Sequence, residues 1–283
     1  PSFVSMSEDE LVAALAHPNG WWRDRAQMHL VECNLRAAIP SLRNMALEHE
    51  NPIARLHALW TLEGLGDNPE KLVGMLDDES VVVQKAASRV LISLGMSHAE
   101  LFRRIERIEA DDELALQLLL TLGDLEIPNH LRNRQIWRLL ESRVDNPLMR
   151  DAALSSLAFR EVGFLRTLWT KASQSPGNAF LIEALSQAIV KADKPKRIED
   201  LRALVKNETP DWREQAVLAG IRVHPTPTSK GRELTAEEQK LFTRGRQVYL
   251  TSCVACHGSD GEGMKMLAPP LASSDWVLGT EER

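Results

Sequence analysis

The run Cys253-Val254-Ala255-Cys256-His257 gathers the most reactive side chains of the chain. Two thiols three residues apart stand about one helical turn from each other, so both can address one edge of a flat ligand. The imidazole directly behind them is then aimed at that ligand's centre. This is the spacing of covalent haem attachment, with a thioether from each Cys to a vinyl group along one porphyrin edge and His257 on the iron. A structural zinc site wants four ligands, and only these three are clustered. Cys33 lies more than 200 residues away in a helical stretch, where a buried, inert thiol is the usual arrangement. A thioredoxin-like dithiol expects a βαβ pattern, and none surrounds these residues.

The elements that must position the motif can be read around it. Thr235-Ala236-Glu237-Glu238 is a capping box, with Thr235 as cap and Glu238 three residues on. It predicts a helix running through Leu241, Phe242, Gly245, Val248 and Tyr249 to the cysteines. Gly245, Tyr249 and Cys253 follow at intervals of four, so one stripe of that helix leads to the haem. Beyond His257, the glycines at 258, 261 and 263 permit tight turns around the macrocycle edge.

On these residues, together with Ala268-Pro269-Pro270-Leu271, the tail resembles a class I cytochrome c domain. The resemblance implies that the Pro269 carbonyl accepts a hydrogen bond from the His257 ring and that Leu271 packs on the haem. It also implies haem c, with its iron, covalently attached through Cys253 and Cys256. Such domains usually take a distal Met far downstream and close with a final helix that crosses the first at the small residue, here Gly245. Only 26 residues follow His257, too few for both. Met264 and Met266 lie in the proximal loop, so the expectation is a truncated domain whose distal ligand lies beyond residue 283.

Residues 1–224 read as one helix after another, with apolar side chains at helical spacing and no sustained period-two alternation. Openings recur as Arg23/Ala26, Arg55/Ala58, Gln84/Ala87, Gln117/Leu120, Arg150/Ala153, Leu181/Ala184 and Arg213/Ala216, in steps of 29 to 33 residues. A fixed period of this length signals stacked helix pairs that bury apolar faces only against neighbours. Each Ala lets helices approach closely, and each Arg can satisfy carbonyls at its turn. The pattern resembles HEAT-like repeats, with a period shorter than the standard roughly 40–47 residues. The expected architecture is all-α: a HEAT-like solenoid of about seven helix pairs over 1–224, a Pro- and Gly-containing linker at 225–234, and a truncated cytochrome c domain over 235–283.

Trp21 and Trp22 are expected to fill the first inter-repeat core, with docking to a neighbouring domain as the alternative. His17 and His57, about one period apart, read as turn caps rather than a metal pair. The basic residues from Lys191 to Arg197 read as a solvated turn. The chain carries 34 Lys and Arg against 40 Asp and Glu, and neither half is basic, so no nucleic-acid footprint is present. No apolar run approaches the roughly 20 residues that span a bilayer. No catalytic triad, phosphate loop or carboxylate pair appears.

The segments His17–Gln27 and Arg55–Leu65 make the chain similar to large multi-domain dehydrogenases of planctomycete-type bacteria. In these, a β-propeller related to sugar and sorbosone dehydrogenases precedes HEAT-like repeats and a cytochrome c domain. The resemblance implies a missing propeller before Pro1, a downstream electron acceptor, and a periplasmic or exported location. The chain is then an electron-transfer part that is not catalytic by itself. The competing class is an interaction scaffold whose Cys-x-x-Cys-His tail carries no haem.

Overall fold

A computed structural model of the chain describes residues 3–191, 195–206, 211–222, 234–258, 261, 263, 268–272 and 274. Residues 225–233 of the linker expected at 225–234, and both Met264 and Met266, lie outside the described residues. The fold is all-α, with no β-strand among the described residues. Two compact units divide at His224 and Pro225.

The first unit is a series of helix pairs: α1 (Glu8–Ala14) with α2 (Gly20–Glu32), and α3 (Ile39–Glu48) with α4 (Pro52–Gly64). Next, two short 3-10 turns at Pro69–Lys71 and Val73–Asp77 precede α5 (Val81–Ser93). Then come α6 (His98–Ile105) with α7 (Asp112–Asp124), and α8 (Asn129–Leu140) with α9 (Pro147–Ser156). The last pairs are α10 (Glu161–Lys171) with α11 (Pro176–Lys191), and α12 (Pro195–Arg202) with α13 (Trp212–Arg222). Second members stack in order, α2 on α4, then α5, α7, α9, α11 and α13. Each therefore buries its apolar face against the next pair, as a repeat array requires.

Local chemistry sets where these helices begin. Asn19, Asn51 and Asn146 each accept, through the side chain, the backbone N–H two residues on, at 2.9–3.0 Å. Pro52 and Pro147 occupy the first helical turn, where no N–H is needed. His17 and His49 act one step earlier, each accepting the N–H of the capping Asn on Nδ1 at 3.0 Å. His17 is thus a turn cap.

Four residues after each cap stands an arginine that reaches back across the turn. Arg23 donates to the His17 and Pro18 carbonyls at 2.7 and 3.0 Å. Arg55 donates to the carbonyls of His49 and Glu50, and Arg150 to that of Val144 at 2.9 Å. Arg55 also pairs with both carboxylate oxygens of Asp78 at 2.7 and 2.8 Å, which ties α4 to the next pair and holds its pKa above the ordinary value. Three residues further, Ala26, Ala58 and Ala153 are fully buried, as is Ala87, three residues after Gln84.

The register expected at Gln117/Leu120 is off by two residues. Asp111 caps α7 on the Leu114 N–H, so the matching positions are Ala115 and Leu118, both buried, while Leu120 is 41% exposed. At the next repeat but one, Leu181 is a core residue and makes no turn contact of the arginine kind. Arg213 reaches the Ala172 carbonyl, in the pair before, at 2.6 Å.

Three further expectations change. Trp22 is half-buried, but Trp21 is 57% exposed, stacked edge-on at 5.7 Å to Phe3 and 5.8 Å to Trp22. Cys33 is exposed, because it caps the C-terminal end of α2 and the chain turns away at Asn34 with φ 50°. Arg197 pairs with the buried Glu161 carboxylate, so the basic run around it is only partly solvated.

His57 does not meet His17. It is half-buried on α4, with Nδ1 2.8 Å from Gln27 Oε1 of α2. Burial, and then the nearby Arg23, push its pKa below the ordinary 6.5. No helix among the described residues is long and apolar enough to cross a membrane.

Removing Arg55 leaves the nearly buried Asp78 carboxylate without its cation, held by the Ser80 N–H, and takes a donor from the His49 and Glu50 carbonyls. Arg55→Ala is expected to cost about 3–5 kcal/mol, read from urea unfolding. The folded state resists protonation of His57, so the stability this residue contributes is complete above pH 6.5 and falls as pH drops towards its lowered folded pKa. The stability of wild type relative to His57→Gln should therefore decline between pH 7.5 and 5.5, measured as the shift between their urea midpoints.

Candidate haem site

The second unit opens on α14 (Ala236–Ser252), whose capping box forms as expected. Thr235 Oγ1 accepts the Glu238 N–H at 3.3 Å, and Glu238 Oε2 accepts the Thr235 N–H at 2.9 Å. No residue of α14 is buried, and Leu241 and Phe242 are 72% and 58% exposed. Cys253 ends the helix, and the short α15 (Val254–His257) carries Cys256 and His257. Both thiols are free, Cys253 half-buried and Cys256 exposed.

His257 is held from the far side of the loop. Its Nδ1 lies 2.8 Å from the Pro269 carbonyl oxygen, a contact that requires a proton on Nδ1 and leaves Nε2 for a metal. Backbone geometry brings that carbonyl there. Gly258 turns at φ 75°, and the Gly263 N–H returns to the His257 carbonyl at 2.8 Å. Gly263 has φ 74°, and a Cβ on it would stand 2.4 Å from the Ala268 oxygen, so only glycine lets the strands of the loop approach. Leu271 and Ala272 donate to the Gly261 carbonyl at 2.7 and 3.1 Å, closing the far end.

Tyr249 is placed differently from a simple stripe residue. Its hydroxyl donates to the Gly258 carbonyl at 2.6 Å, pinning the turn that follows His257 to the preceding helix. Leu271 is half-buried on the returning segment. The loop therefore brings Tyr249, His257 and Pro269 into one bonded chain, with Cys253 and Cys256 on the adjoining turn. The roles of the Gly258 and Gly261 carbonyls as acceptors had no sequence signal beyond the glycine spacing itself.

These residues fit a c-type haem: two unpaired thiols one turn apart, an imidazole with one nitrogen engaged, and large apolar side chains exposed on the leading helix. Among the described residues no group of three or more His, Cys, Asp or Glu side chains is placed to hold a metal ion.

Comparison with known families agrees with both units. A model of HEAT repeats matches residues 8–92, and a model of cytochrome c matches residues 242–282. No curated protein matches the chain. The chain is thus an all-α helical-repeat protein with a C-terminal cytochrome c domain, and that domain implies a covalently bound haem c.

Gly263→Ala is expected to push residues 268–269 off and release His257 Nδ1. In ¹⁵N-histidine NMR of the neutral ring, wild-type His257 should show the Nδ1–H tautomer. The variant should move towards the Nε2–H form that a free imidazole prefers, while the signals of the repeat unit stay unchanged.

Proposed function

We propose that this chain transfers electrons through a haem c held by thioethers from Cys253 and Cys256, with His257 Nε2 on the iron. The observation that carries the reading is the 2.8 Å contact between His257 Nδ1 and the Pro269 carbonyl, behind two free thiols at the right spacing. When bound, a c-type haem supplies one-electron redox chemistry at its iron. The protein's share is positional. The Pro269 carbonyl fixes the tautomer and swing of His257, and hydrogen bonding at the far nitrogen makes a ligating imidazole more basic. Tyr249 holds the turn behind His257 through the Gly258 carbonyl, and Leu271 offers an apolar face.

The repeat unit serves as a solenoid scaffold that spaces and docks partners. By resemblance, the donor is a propeller-like dehydrogenase domain of the same polypeptide, and the acceptor is a downstream electron carrier. Covalent haem attachment is carried out outside the cytoplasm, which supports a periplasmic or exported location. In this reading the chain is the electron-transfer part of a larger oxidoreductase.

The test is export of the chain in a host that matures c-type cytochromes, followed by a haem stain on a denaturing gel and an absorption spectrum. A haem band that survives denaturation and vanishes in Cys253→Ala/Cys256→Ala is the expected result. A colourless, folded, helical product would instead make the chain an interaction scaffold.

A further inference from the structure

The repeat unit carries a groove of mixed polarity between α2 and α4 that none of the haem chemistry uses. Its volume is about 460 Å³, within the range of about 300–1,000 Å³ typical of ligand clefts. Met28, 39% exposed, lines it with Val31 and Trp60, and its rim carries Asp24, Glu32 and Glu63. Asp24 and Glu32 are exposed, and neither has a salt-bridge partner among the described residues. Glu63 is held in place by the Ser93 hydroxyl at 2.5 Å.

Two features shape this surface. Gly64 lets α4 pass close to α2 where both line the groove, since a Cβ there would come within 2.7 Å of Val31. Trp60 is already a cation platform: the Arg89 guanidinium of α5 sits 5.6 Å from its ring centroid. An aromatic ring that already accepts the Arg89 guanidinium, a flexible thioether and an aliphatic wall, edged by three carboxylates, complement one kind of occupant.

We propose that the α2–α4 groove binds a basic segment of a partner protein, with a Lys or Arg aliphatic stem over Met28 and Trp60 and its cationic head among Asp24, Glu32 and Glu63. Long cationic side chains suit this arrangement because their stems are apolar and only their tips need charge. Paired carboxylates on the rim steer such a segment in and reject acidic ones. The groove lies wholly within the repeat unit, so its occupancy is independent of whether Cys253 and Cys256 carry haem.

The test uses the full chain and a fluorescein-labelled peptide, (Arg-Leu-Ser)₃, followed by fluorescence anisotropy, with (Glu-Leu-Ser)₃ as its counterpart. Saturable binding of the arginine peptide alone is expected. It should weaken at least tenfold in Asp24→Lys/Glu32→Lys, which changes only exposed groups, and about threefold or more in Trp60→Leu. The exposed pair Glu126→Lys/Asp151→Lys alters net charge equally and lies outside the groove, so it should stay within twofold of wild type. Circular dichroism checks that each variant is folded. Absence of saturable binding, equal binding of the glutamate peptide, or equal weakening by both double variants would overturn the proposal. The last result would mean that net charge alone attracts the peptide.

Discussion

A guanidinium laid back across the turn before the second helix is the contact on which the repeat unit depends. At Arg23, Arg55 and Arg150 it neutralises carbonyls that the preceding helix or turn cannot satisfy itself, six residues upstream in each case. Arg132 extends the device to a full burial: it enters from α8 and donates to the Leu122 and Leu125 carbonyls at the C-terminal end of α7, and to Asn129 Oδ1. Its charge has no carboxylate partner among these contacts. The helix-end carbonyls, where the helix dipole is negative, take that place. Desolvation lowers its pKa, yet arginine remains cationic, which is why lysine would be a poor substitute.

Closing each turn this way frees the helix faces to do the packing. The buried alanines at 26, 58, 87 and 153 let second helices approach closely, and Gly123 carries the principle further. A Cβ on it would lie 2.9 Å from the Ser156 Cα of α9. The same close approach recurs at Gly64, beside the groove between α2 and α4. Packing and surface recognition therefore come from one geometric choice, the use of small residues on the helices that stack.

The haem-binding unit solves a different problem with the same chemistry. A carbonyl must be delivered to one nitrogen of an imidazole, and a carbonyl has no side chain to encode it. Glycines at 258, 261 and 263, all with positive φ, fold the loop so that Pro269 arrives opposite His257. Tyr249 locks the start of that loop to α14. For the proposed electron transfer, an imidazole fixed through its far nitrogen would keep reorganisation at a bound iron small.

The sequence alone determined the all-α class, the capping box at Thr235, the haem-type spacing at 253–257 and the glycines behind it. All of these are local: a cap, a turn or a motif acts within a few residues of itself, so its chemistry is legible in one dimension. The structure decided what depends on distant partners. It moved the repeat register in α7, where an acidic cap replaced the Asn–Arg pattern, and put Trp21 and Cys33 at the surface. It joined His57 to Gln27, thirty residues away, and assembled the Met28–Trp60 groove from two helices. Burial is a property of what packs against a residue, and only the fold says which helix that is.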